Sequence, residues 1–111
     1  MMPSISFSTM KAKLLSGEKK QTIRPYRTDW WTRWEEGDRL VGYWMMRTKQ
    51  CEKLFDSRFS EDPLIIIVND IKRDEELARR DGFDSCQQAW DEWFFPHYGN
   101  TVWEYVVLRW L

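Results

Sequence analysis

The segment Gly17-Glu18-Lys19-Lys20-Gln21-Thr22-Ile23-Arg24 sets an ammonium, a hydroxyl and a guanidinium close together behind a glycine. Written as G-x-K-x-x-T-x-R, it reads as a helix end, a tight turn and an extended run. In an extended run, residues two apart share a face. Thr22 and Arg24 therefore point one way and Ile23 the other. Lys19 stands at the turn and can fold toward the Thr22 face. Such a trio can hold a phosphate or the carbonyl edge of a base. The same spacing also describes a basic hairpin tip with a β-forming threonine, and both readings stay open on the spacing alone.

Other residues could join that chemistry. Arg27, Trp30, Trp31 and Trp34 lie in an aromatic, basic stretch without clear period. Indoles there can stack on a base, or close a core as loop tryptophans also do. Asp81-Gly82 is a turn signal before it is a site. His97 ends a helical stripe, where histidines commonly cap or pack. It is the single histidine, and Cys51 and Cys86 form no CxxC pair. That inventory is too poor for a structural zinc site, so neither a metal nor another cofactor is expected.

The elements that must position these residues are legible in outline. Ser4 to Ser8 alternates Ile5 and Phe7 with serines, a strand signal. Thr9 to Ser16 reads as a short helix with Gly17 at its C-terminal cap. Gln21 to Pro25 reads as extended, with β-branched Thr22 and Ile23 and with Arg24 before a proline. After the turn at Glu36-Gly37-Asp38, Arg39 to Arg47 and Gln50 to Phe59 read as strands. Pro63 opens the apolar run Leu64–Val68, which suits a central, buried strand. Residues 74–80 read as a helical turn or two. Ser85 and Gln88 fit a capping box ahead of a stripe of Cys86, Ala89, Trp90, Trp93, Phe94 and His97. Thr101 to Trp110 alternates as the last strand. The order implies an α+β chain whose strand neighbours mostly follow in sequence, a mixed or antiparallel barrel with helices outside.

Composition sets bounds on this reading. The chain has 111 residues, the length of one domain, so 1–111 is read as a single unit. With 42% hydrophobic and 32% charged residues it reads as globular. Eight Trp, four Tyr and six Phe exceed what a small core needs, so some should line a cleft. Net charge is −1, which excludes the global basic footprint of a duplex-binding protein. The charge is uneven, however. Residues 1–50 carry ten Lys/Arg against five Asp/Glu, and residues 51–111 carry seven against thirteen. A local positive field is thus compatible with a neutral total. The longest apolar run, five residues, cannot span a bilayer, so no membrane partner is expected. Lone cysteines without a secretory signal point to a reducing, cytoplasmic setting.

Three stretches in order carry a wider likeness: Leu15 to Arg24 with its G-x-K-x-x-T-x-R core, Trp34-Glu35-Glu36-Gly37-Asp38-Arg39-Leu40 with an x-x-G-D-x-L entry to a strand, and Ala78-Arg79-Arg80-Asp81-Gly82-Phe83 before an aromatic helix and a closing strand. Together they resemble the ASCH domain family, over nearly the whole chain. The resemblance implies a PUA-like β-barrel and a ligand cleft between barrel and helices. It also implies association with RNA or a modified nucleoside. One branch of that family is a small amidohydrolase that removes the acetyl group from N4-acetylcytidine using a Lys, a Thr and a Glu. By position these fall on Lys19, Thr22 and Asp81, the last one methylene shorter. Near-attack geometry is sensitive to such a shift. In that chemistry the Thr22 hydroxyl needs a base, and Lys19 serves only if burial or a neighbouring cation lowers its pKa. Arg24, Lys20 or Arg27 could be that cation, while a carboxylate at Asp81 pulls the other way. Three functions are therefore expected to compete. The first is binding of RNA or a modified nucleoside through Lys19, Thr22, Arg24, Arg27, Trp30, Trp31 and Trp34. The second is amidohydrolysis by Lys19, Thr22 and Asp81. The third is a protein-binding adaptor that uses surface aromatics.

Overall fold

The structure, a computed structural model, describes residues 4–26 and 34–111. Six strands and five short helices follow in the order β1 (Ser4–Phe7), α1 (Lys11–Ser16), β2 (Gln21–Pro25), β3 (Arg39–Trp44), β4 (Glu52–Arg58), β5 (Leu64–Ile67), α2 (Val68–Arg73), α3 (Glu75–Arg80), α4 (Cys86–Ala89), α5 (Phe95–Tyr98) and β6 (Glu104–Arg109). A π-helical turn, Trp90–Phe94, joins α4 to α5.

The strands form two three-stranded sheets, ordered β1-β3-β4 and β2-β6-β5. β1 pairs with β3 in parallel, and the other pairs are antiparallel. An isolated bridge, Phe59 opposite Trp110, links the two sheets. The ladders among the described residues do not close into a barrel. Two of the four pairs, β3 with β4 and β5 with β6, join strands that follow in sequence, so half of the neighbours do where most were expected to. β1 and β3 are separated in the chain by α1 and β2, and β2 and β6 by three strands and the later helices, so these two pairs are the ones that skip strands.

β6 sits at the centre of the molecule, and its two faces feed two cores. Tyr105 and Val107 join Ile23, Ile66, Val68, Ile71, Leu77, Ala89 and Phe94 under the helices. Val106, Leu108 and Trp110 join Ile5, Phe7, Leu14, Leu40, Leu54 and Phe59 under the other sheet. The order of layers is thus helices, the β2-β6-β5 sheet, then the β1-β3-β4 sheet. In the second core Phe55 stacks on Trp110 with centroids 4.6 Å apart.

Leu64–Val68 departs from the central strand expected of it. It ends as a strand at Ile67, Val68 opens α2, and β5 lies at a sheet edge. Only Ile66 is buried within it, while Leu64, Ile65 and Ile67 are exposed. Continuous hydrophobicity gives strand propensity but does not say how many faces are covered.

The last helical region follows its stripe with one change. Ser85 caps it, its Oγ accepting from the Gln88 amide at 3.0 Å. Gln88 Oε1 in turn accepts from the Asp84 amide, one residue further out than in the usual box. The π turn precedes Pro96, whose ring would collide with the carbonyl four residues back and which lacks a donor. Widening the turn, with the Phe95 amide bonded to the Trp90 carbonyl, relieves this.

Candidate functional site

β2 is an edge strand, and a cleft runs along its open side. Ser6 to Met10 approach from the second sheet, and Asp81, Phe83, Trp93 and Tyr98 from the helical layer. Lys19, Thr22, Ile23 and Arg24 form the floor between them. The cavity measures about 70 Å³, room for a handful of waters or the head of a small planar molecule.

The expected directions of Thr22, Ile23 and Arg24 hold, while Lys19 turns to the side of Gln21 and Asp81. Gly17 caps α1 with φ of 81°, a left-handed conformation that glycine adopts without strain. The Lys19 amide bonds the Lys13 carbonyl at 3.0 Å, which folds the turn back onto α1. Thr22 and Arg24 share a face: Arg24 Nε donates to Thr22 Oγ1 at 3.1 Å, and Nη2 donates to the Ser6 carbonyl at 2.8 Å. The guanidinium also lies over the Phe7 ring at 5.1 Å. Ile23 points the other way, into the core beneath the helices.

Asp81 caps the C-terminus of α3, and Gly82 completes the turn with φ of 98°. A Cβ on Gly82 would come within 2.6 Å of Met10 Sδ, the far end of a flexible side chain that can shift, so the left-handed backbone is what calls for glycine there. This turn delivers Asp81 to Lys19. Lys19 Nζ donates to the Asp81 carbonyl at 2.6 Å and stands 3.4 Å from its Oδ2. The two side chains are only 7% and 5% exposed. Burial pushes the Lys19 ammonium below its ordinary value, against the attraction of Asp81, and Arg24 adds a smaller push in the same direction. Burial likewise pushes the Asp81 carboxyl up, against Lys19 and Gln21. Burial also lowers Arg24.

Gln21 is the residue that the sequence reading missed. It is 1% exposed and ties Asp81 to the neighbouring strand β6 through Arg109. Its Nε2 donates to the Leu77 carbonyl at 2.9 Å and to Asp81 Oδ1 at 3.3 Å, while its Oε1 accepts from Arg109 Nε at 2.8 Å. Arg109 in turn holds Glu61 at 2.8 Å. The Arg109 donor fixes which way the Gln21 amide faces, and so leaves its NH₂ for Asp81. The signal was available: Gln21 is two residues from Lys19 and shares its face.

Of the tryptophans expected in the aromatic wall, Trp34 alone falls among the described residues. Trp34 packs on Phe59 with centroids 5.6 Å apart and belongs to the second core. Arg27, Trp30 and Trp31 lie outside the described residues. Among the described residues the aromatic side chains lining the cleft are Phe7, Phe83, Trp93 and Tyr98, and Trp93 and Tyr98 also pack against the core beneath the helices. His97 lies 3.9 Å from the Trp93 ring, and its Nδ1 bonds the Trp93 carbonyl at 2.7 Å, a local helical role. Among the described residues no cluster of His, Cys, Asp and Glu could hold a metal ion, and no helix is long and apolar enough to cross a membrane.

The chain matches no family model, no curated protein and no solved structure.

Proposed function

We propose that the cleft along β2 binds RNA or a modified nucleoside by taking one base into the pocket, in an ASCH-type domain of PUA-like barrel ancestry. One observation carries this reading: Lys19, Thr22, Arg24 and Asp81 line a single concavity whose remaining walls include four aromatic side chains. Aromatic faces stack on any planar base, and a few fixed polar groups read its edge. The size of the cavity favours one base or nucleoside head over a length of strand.

Amidohydrolysis is the second reading. It is favoured by the lowered Lys19 lying in the same cleft as a threonine hydroxyl. In that reaction the Lys19 amine accepts the Thr22 proton while Oγ1 attacks the acyl carbon. The amine of the base leaves with a proton, and water then releases acetate from Thr22. Binding takes precedence because Lys19 Nζ is engaged by Asp81 and Thr22 Oγ1 by Arg24, so no hydrogen bond joins base and nucleophile.

The test is calorimetric titration with cytidine and a short single-stranded RNA, beside an assay of acetate release from N4-acetylcytidine. The binding reading expects saturable nucleoside binding and no acetate from the wild type or from Asp81→Glu. Acetate release that Thr22→Ala abolishes would move the assignment to the enzyme. Absence of nucleoside and RNA binding would contradict the proposal.

A further inference from the structure

We infer that the ligand of this cleft carries a pair of anionic oxygens, a carboxylate or a phosphate, beside its planar ring, and that Arg24 receives them. The inference rests on the reading of the cleft as a site for a base-like ring, and it adds the charge of the ligand.

Charge around the cleft is not balanced. Among the described residues lining it, Lys19 and Arg24 are cationic and Asp81 is the one carboxylate. Lys19 is already matched: its Nζ lies 3.4 Å from Asp81 Oδ2 and 2.6 Å from the Asp81 carbonyl. Thr22 is neutral. Arg24 therefore supplies the excess positive charge.

Arg24 is also held in a way that leaves it ready for a ligand. Its Nε and Nη2 donate to Thr22 Oγ1 and the Ser6 carbonyl, both neutral acceptors. One face of the guanidinium is covered by Phe7. Nη1 bonds none of the described residues. A guanidinium has five N–H donors, so as far as the described residues go the outer end of the fork remains for an incoming group. That end is pre-oriented, since the inner edge and one face are fixed. Two oxygens of a carboxylate or phosphate match such a fork, which a single carbonyl does not. A neutral nucleoside offers carbonyl, ring-nitrogen and hydroxyl acceptors but no negative charge, and would leave the charge of Arg24 unmatched in a partly buried place.

The experiment is calorimetric titration of the wild type, Arg24→Met and Arg24→Lys with three probes: cytidine, cytidine 5′-monophosphate and orotate, a pyrimidine bearing a carboxylate. Circular dichroism first establishes that each variant is folded, and Arg24→Lys preserves the charge if Arg24→Met does not fold. At least one anionic probe should bind the wild type about tenfold or more tighter than cytidine, a gap typical of a charge-assisted pair. Preference for orotate places the oxygens on the ring, and preference for the monophosphate places them on the sugar. Arg24→Met should erase the gap between the anionic probes and cytidine, whatever it does to the affinity for cytidine itself. Arg24→Lys should keep part of it, because a point charge replaces the fork. Cytidine binding as tightly as both anions would overturn the inference and leave the base-binding reading standing. Failure of all three to bind would overturn the inference, and the titration with single-stranded RNA would then decide the reading of the cleft. An anion preference that survives in Arg24→Met and Arg24→Lys would place the receptor elsewhere and sink the role of Arg24.

Discussion

Lys19 and Asp81 bury two charges for the sake of one contact, and the physics of such pairs sets what their removal does. Desolvation opposes both ions, and the pair survives because each also has a backbone or amide partner. Lys19→Met should destabilise the protein by about 3–5 kcal/mol, since it leaves a buried carboxylate alone. The double change Lys19→Met with Asp81→Leu should cost clearly less than the sum of the singles. Urea unfolding of the four proteins in the cycle checks this, and additive effects would refute the coupling. In the single variant the Asp81 carboxyl should move further up, because Lys19 is the largest influence lowering it. A surface pair makes a contrast. Arg39 grips both oxygens of Asp56 and holds its carboxyl down to about 2. A carboxyl lowered in the folded state adds stability that is present above its unfolded value, about 3.9, and that fades as pH falls toward 2. Side-chain NMR titration should find Asp56 among the lowest carboxyls, and Arg39→Ala should return it toward the ordinary range. Because the pair is exposed, its effect on stability is small.

At the scale of elements, the sequence was most readable where local rules act alone. The helix ending at Gly17, the extended run to Pro25, the Ser85 cap and the closing strand all follow from caps, β-branching and alternation. The shared direction of Thr22 and Arg24 was legible too, because a two-residue period fixes it, whereas Lys19 reaches the cleft from the other face, beside Asp81. What could not be read depends on neighbours far along the chain. The Leu64–Val68 run has the composition of a central strand but lies at an edge, and Trp93 has helical-stripe spacing but reaches the cleft. Mutations separate these roles. Ile66→Ala should cost about 2–5 kcal/mol, whereas Ile65→Ser on the exposed side should stay within about 1 kcal/mol. Equal losses at both positions would restore the central-strand view. Gly42 lies against the Phe55 ring, which occupies the space a Cβ would need. Gly42→Ala should therefore destabilise by about 1–3 kcal/mol, and trimming Phe55 to Leu should recover part of that loss.

The whole molecule is a sheet packed on both faces, and the open edge of β2 is where the two packing layers meet. Residues on opposite faces of β2 therefore converge on one cleft: Thr22 and Arg24 with Ser6 on one side, Gln21 and Lys19 with Asp81 on the other. That arrangement makes the site a property of the layering as well as of one motif. It also predicts where ligand effects appear. The most direct measurement is amide chemical-shift mapping by NMR during titration with cytidine and cytidine 5′-monophosphate. The account expects saturable shifts centred on Lys19, Thr22, Arg24, Asp81, Phe83, Trp93 and Tyr98, with the β3–β4 hairpin and β5 unchanged. Saturable shifts centred on β5 or Trp103, or no shifts at millimolar ligand, would contradict it.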